Sequence, residues 1–159
     1  TPLVPPIVAP RPSPTARGTV SPKGLIFPDP AIYPNAPVTV EILRIVVGDE
    51  VAPLTTRGSI AGIIKNGKFP VLFEVKITNH RLTKVFVLVS YLELEDDDNL
   101  TYKRQPSPKN EIPSVALRRG KSARGMVMFD VYAGAKPKFL KWGGTGGVIV
   151  SPDLRRFLP

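Results

Sequence analysis

Phe69 to Thr78 reads FPVLFEVKIT, and its side chains alternate: Val71, Phe73, Val75 and Ile77 fall on one face, Leu72, Glu74, Lys76 and Thr78 on the other. Successive side chains of a strand point to opposite faces. This period of two therefore predicts an antiparallel strand with one face in a core and the other mostly in water. The same signal recurs on both sides of it. Val38 to Val47 (VTVEILRIVV) is β-branched and follows Pro37 directly, as the first strand of a compact domain would. Ser59 to Ile64 predicts a short strand before a hairpin turn at Asn66-Gly67. Lys84 to Glu95 sets Phe86, Leu88, Ser90, Leu92 and Leu94 against Val85, Val87, Val89, Tyr91 and Glu93; apolar on both faces at its start, it predicts one central strand. Leu100 to Arg104 extends again before Pro106, Pro108 and Pro113 interrupt pairing. Ala123 to Val131 turns Val127, Phe129 and Val131 inward, and Phe139 to Trp142 and Val148 to Val150 complete the series. No segment has a helical period.

Seven or so short strands separated by turn residues, in a chain of 159 residues, predict an all-β fold: an antiparallel, immunoglobulin-like Greek-key β-sandwich, with a closed barrel as the alternative. The chain has no cysteine, which excludes disulfides, thiolate metal sites and cysteine nucleophiles and leaves stability to packing. No apolar run reaches the roughly 18 residues of a membrane span. The sequence starts at Thr1 rather than Met, as a processed product would.

Eleven of the nineteen prolines fall within residues 1–37. Each proline fixes φ and removes an N–H donor, so this segment is expected to be an extended arm ahead of a β-sandwich domain at 38–159. Its apolar residues Leu3, Val4, Ile7, Val8, Leu25, Ile26 and Phe27 are unlike a solvated linker, and are expected to be covered by a partner.

The formal charge is +9, which favours anionic partners. The densest basic stretch is Arg118 to Arg124, and Arg118, Arg119, Lys121 and Arg124 are the candidate basic face for an anionic polymer. No aromatic residues are interleaved with them, so a solvated face is the competing reading. Arg119-Gly120-Lys121-Ser122 contains the GKS end of a phosphate loop, but Val115 stands where that motif needs glycine, and a hairpin turn explains Gly120 better. His80 is the only histidine and sits in a polar turn with no nucleophile-elbow motif, so no catalytic residues are assigned. Asp96, Asp97, Asp98 and Asn99 concentrate hard oxygen ligands and are a candidate calcium loop; they lack the spaced carboxylates of an EF-hand, and a solvated turn is the alternative. No cofactor and no small-molecule substrate is predicted. Trp142, with Lys138 and Lys141, either stacks on a sugar or packs in the core.

From Phe73 to Trp142 the chain reads FEVKITN, then VFVLVSYLELEDDDNLTY, then ALRRGKSARGMVMFDVYAGAKPKFLKW. This order resembles the telokin-like, immunoglobulin-type domain of bacterial and archaeal surface proteins and lipoproteins. In that family a strand ending in Asn precedes one that ends in an acidic turn and a Tyr, and a Gly turn then leads to Phe-x-Val. Asn79, Asp96 to Asn99, Tyr102, Gly120, Gly125 and Phe129-Asp130-Val131 fill those places. The resemblance covers under half the chain. It implies an immunoglobulin-like sandwich on a surface and brings no catalytic residues; the prolines and the basic charge lie outside its pattern.

Together these readings lead to the expectation of a non-enzymatic structural subunit of a cell-surface, filament or virion-exterior assembly. It would be joined through its arm to copies of itself or to a neighbouring subunit. An extracytoplasmic binding module holding an anionic polymer on its basic face is the alternative.

Overall fold

The computed structural model describes residues Gly18–Gly144 and Gly147–Pro159. Eleven strands are formed by these residues: β1 (Gly18–Val20), β2 (Ile26–Phe27), β3 (Val38–Val47), β4 (Lys68–Asn79), β5 (Val85–Val87), β6 (Leu92–Asp96), β7 (Thr101–Lys103), β8 (Val115–Leu117), β9 (Ser122–Tyr132), β10 (Pro137–Trp142) and β11 (Ile149–Val150). One sheet runs β1-β3-β4-β9, with β2 also on β3; the second runs β11-β10-β6-β7; β5 and β8 pair separately. All their pairings are antiparallel. The predicted sandwich is the observed fold.

The alternation around Phe69 to Thr78 has the expected consequence. Val71, Phe73, Val75 and Ile77 are buried between the two sheets against Leu92, Leu94, Leu140 and Trp142. Phe73 meets Phe129 of β9 edge to face, with ring centroids 6.0 Å apart. Burying a side chain of this kind contributes roughly 1.5–3 kcal/mol, which in the absence of disulfides is the main source of stability.

The outer face of the larger sheet is not wet throughout. Leu72, Val46, Met126 and Met128 are buried there beneath Val51, Ile60 and Ile63, forming a second, smaller core. The cover is the excursion between β3 and β4, a 3-10 helix (Gly48–Leu54) followed by α1 (Ala61–Lys65). The short strand expected over Ser59 to Ile64 is thus a helical turn. Ile60 and Ile63 are three apart and share one helical face over Leu72, while Ile64 is left exposed; the Ser59 hydroxyl takes the Ala61 N–H at 3.2 Å. Asn66-Gly67 accordingly links α1 to β4 rather than two strands.

The strand expected over Lys84 to Glu95 is broken in two. Val85, Val87 and Val89 are buried, and so are Leu92 and Leu94. The inward set changes from odd to even positions because a 3-10 turn at Val89–Tyr91 inserts an extra step. That step carries the chain from the β5–β8 pair into the second sheet, so the residues apolar on both faces mark a change of sheet, not a central strand.

The domain boundary expected at residue 38 also moves. Gly18, Thr19 and Val20 pair with Val47, Val46 and Ile45, and Ile26 and Phe27 pair with Glu41 and Val40. Residues 18–27 are therefore the edge of the larger sheet. Its opposite edge, β9, is covered by the loop after β7: Gln105 N–H donates to Met128 at 2.7 Å, and Met126 N–H to Asn110 at 2.8 Å. That loop leaves less of the β9 edge open as a template for unwanted pairing.

Gly125 is where that loop crosses β9. A Cβ there would lie 2.6 Å from Ile112 Cα and 2.9 Å from Asn110 O, both backbone atoms. Gly125→Ala is expected to destabilise the fold by about 1–3 kcal/mol, since the loop must lift off. Denaturant titration measures this, and an unchanged midpoint would refute the close approach.

Candidate functional site

The residues singled out from sequence do not converge on one place. Leu3, Val4, Ile7 and Val8 lie outside the described residues. Leu25 and Phe27 were expected to meet a partner, but they are 5% and 1% exposed and belong to the main core. Phe27 is turned inward by its place opposite Val40, and the Leu25 carbonyl accepts the Ile42 N–H at 2.9 Å, so the chain covers its own residues here. Ile26, between them, is half-buried on the outer side of β2.

The expected basic face is reduced. Arg118, Arg119 and Lys121 are exposed on the turn between β8 and β9, where Gly120 takes φ +75°, a value that favours glycine. No ion pair holds these three among the described residues. Arg124 instead lies on β9 and places both Nε and Nη2 on the Glu74 carboxylate, at 2.9 and 2.7 Å; Arg44 approaches the same carboxylate at 3.2 Å. Glu74 is thus shared between Arg124 and Arg44, and Arg124 is drawn along the sheet instead of standing free beside the other three. The GKS sequence enters a strand, not a helix, so its N–H groups form no phosphate cradle.

The acidic turn is built around Asp96, which is only 2% exposed. Its Oδ1 accepts the N–H groups of Asp98 and Leu100, each at 2.9 Å, and its Oδ2 accepts the Tyr102 hydroxyl at 2.7 Å. Burial and this bond push the Tyr102 hydroxyl's pKa well above its ordinary value. The Tyr102 oxygen in turn accepts Tyr132 N–H of β9 at 3.4 Å, which ties the second sheet to the first. Asp97 points elsewhere and takes Lys136 N–H at 3.0 Å; Asn99 occupies φ 63°. The candidate calcium loop is corrected accordingly: Asp96 caps a turn with its lone pairs directed at protein donors. Among the described residues no group of three or more His, Asp or Glu side chains is placed to hold a metal.

Two further candidates resolve into structure. Trp142 is fully buried and stands edge-on to Tyr91 with centroids 5.3 Å apart, so its ring is not a sugar platform. The exposed His80 ring meets the Thr39 hydroxyl at 2.8 Å, and among the described residues no carboxylate orients it. Asn79, in contrast, is completely buried at the end of β4. It donates to the carbonyls of Leu117 at 2.8 Å and Thr83 at 3.0 Å, fixing the turn into β5. On β9, burial raises the Asp130 carboxyl pKa above its ordinary value, while Lys68 and Arg57 oppose the shift.

One feature escaped the sequence altogether. An open groove of about 660 Å³ lies between the β2–β3 connection and β11. Its walls include Pro28, Ile32, Tyr33, Pro34, Val148 and Val150. Ile32, Tyr33 and Val148 are 67%, 59% and 69% exposed, an unusual outlay of apolar surface for a completed sandwich. The available signal was that these residues stand in proline- and glycine-rich stretches that form no part of a strand period.

Solved structures of bacterial proteins share the fold defined by these sheets. MPT63, a secreted protein of Mycobacterium tuberculosis and itself an immunoglobulin-like β-sandwich, is 15% identical; the match covers 72% of this chain and 82% of MPT63 with a TM-score of 0.51. A Bacillus subtilis protein described as a lipoprotein is 13% identical at TM-score 0.55, with 75% of this chain matched to 37% of that one. A Listeria monocytogenes protein described as functionally unknown is 14% identical at TM-score 0.53, covering 87% and 85% of the two chains. No protein-family model matches the chain, and no curated protein matches it in sequence. The similarity is one of fold: an immunoglobulin-like β-sandwich. Among the described residues no helix is long and apolar enough to cross a membrane.

Proposed function

We propose that the protein is a non-enzymatic structural subunit of an extracellular or surface assembly, joined to copies of itself or to a neighbouring subunit through the proline-rich segment 1–17. One observation carries the reading. Among the described residues the main core runs from Leu25 to Leu154 and β1 and β2 pair along β3, while the apolar Leu3, Val4, Ile7 and Val8 stand among prolines that fix φ and remove N–H donors. Apolar side chains on a pre-stiffened backbone lose little entropy on docking, and their covering surface then belongs to another molecule. Two neighbours in fold, described as a secreted protein and a lipoprotein, support an extracytoplasmic location.

Removing residues 1–17 is expected to leave the thermal midpoint of the domain within a few degrees of the intact chain and to lower self-association at least tenfold. Light scattering on size-exclusion fractions measures both. Equal association of the two chains would end this reading.

The exposed trio Arg118, Arg119 and Lys121, held by no ion pair among the described residues, supports a second reading, in which the same fold holds an anionic polymer. Salt separates the two. Charge-driven binding falls steeply between about 50 and 200 mM salt, whereas apolar docking persists.

A further inference from the structure

We propose that the groove between the β2–β3 connection and β11 is the acceptor for the proline-rich segment 1–17 of a second copy of this chain, docked head to tail. This rests on the subunit reading above and assigns it a site and a polarity.

The sheet edges single out the acceptor. Residues 18–27 cover β3 and the loop at 105–112 covers the β9 edge. In the second sheet β7 is an edge of three residues, flanked by exposed Thr101 and Lys103, the polar protection typical of edges. The other edge, β11, is flanked by Val148 and Val150, which face the groove together with Ile32 and Tyr33. Of the two edges of this second sheet it is the apolar one, left without cover among the described residues; exposed Phe86 belongs to the separate β5–β8 pair.

The chemistry of the occupant matches. Residues 1–17 carry Pro2, Pro5, Pro6, Pro10, Pro12 and Pro14 around Leu3, Val4, Ile7 and Val8. A polyproline-type segment offers few N–H donors and docks by laying rings and aliphatic side chains into grooves lined by aromatic and proline residues. Tyr33, Pro28 and Pro34 supply such a lining.

Direction decides for a second copy over the chain's own segment. Gly18 pairs with Val47, at one end of β3, while the groove wall runs into Val38 at the other, about 30 Å away at the usual rise per residue. β1 and β2 run toward the groove, so Gly18 lies at the end of β3 away from it. Eleven residue steps separate Ile7 from Gly18, a span of about 34 Å if all of them take polyproline geometry, enough to reach a neighbouring molecule. Ala9, Arg11 and Ser13 each precede a proline, which disfavours the αR region and so favours an extended course over a tight reversal toward the chain's own groove. A contact between unlike ends of identical molecules repeats from copy to copy, giving a ring where the rotation closes and a filament where it does not.

The absence of cysteine supplies the test. In the 159-residue chain, Ile7→Cys with Val148→Cys carries only two thiols. Mild oxidation is expected to give a ladder of covalent multimers on a non-reducing gel, at least tenfold more than Ile7→Cys with Ile64→Cys, whose second site is exposed on α1. A cross-linked monomer would overturn the head-to-tail polarity, and multimers no stronger than the control would overturn the groove. Val148→Asp in the otherwise unaltered chain is expected to reduce association at least tenfold with an unchanged thermal midpoint; undiminished association would likewise overturn it. If deletion of residues 1–17 abolishes association while neither groove variant does, the subunit reading stands and the groove assignment alone fails.

Discussion

Phe27→Ala is expected to destabilise the isolated domain by about 3–5 kcal/mol, the usual cost of truncating a buried Phe. The ring is 1% exposed in the main core, within a segment whose prolines mark it as an arm. In a chain of this length the thermal midpoint should fall by about 10 °C. The two readings of residues 18–37 differ sharply here. A partner-docking Phe27 would leave the monomer's midpoint unchanged and weaken association only. A core Phe27 lowers the midpoint at concentrations where the chain is monomeric. Calorimetry of dilute Phe27→Ala decides between them, and a shift below about 2 °C would restore the arm reading for this residue.

Asp96→Ala is expected to cost about 1–3 kcal/mol, because it leaves the buried Tyr102 hydroxyl without its acceptor and removes the acceptor of two part-buried N–H groups that water can still reach. The N–H groups of Asp98 and Leu100 lose their acceptor, and the Tyr102 hydroxyl loses the carboxylate that holds it under β9. Its exposed neighbour Asp98 provides the contrast: Asp98→Ala should stay within about 0.5 kcal/mol, as surface substitutions do. Urea melts of the two variants measure the difference. Equal and small effects would mean that the acidic run is a solvated turn throughout, and a midpoint that rises with millimolar calcium in the parent chain would return it to metal binding.

The features that carried the family resemblance are joints of the fold. Asn79 closes the β4–β5 turn, Asp96 and Tyr102 close the β6–β7 hairpin, Gly120 turns β8 into β9, and Gly125 lets a loop cross β9. Their side-chain chemistry is consumed in satisfying buried backbone or in avoiding a clash. Such residues are legible from sequence because a turn demands the same local chemistry wherever it occurs. The candidate site was not legible in that way. Ile32 and Val148 are apolar residues in irregular segments, and only the packing of β2–β3 against β11 makes them neighbours.

The sequence by itself determined the strands with a clean period of two, the all-β class, the positions of the main turns and the exclusion of cysteine chemistry. Those are local properties, set by side-chain alternation and by the φ values that glycine and proline allow. Tertiary structure decided what covers each apolar residue. It placed Leu25 and Phe27 in the chain's own core, laid α1 over Leu72, and divided Lys84 to Glu95 between two sheets. It also left Tyr33 and Val148 uncovered beside an apolar edge. An apolar side chain records that burial is favourable, but burial needs a second surface, and that surface is supplied by residues distant in the chain.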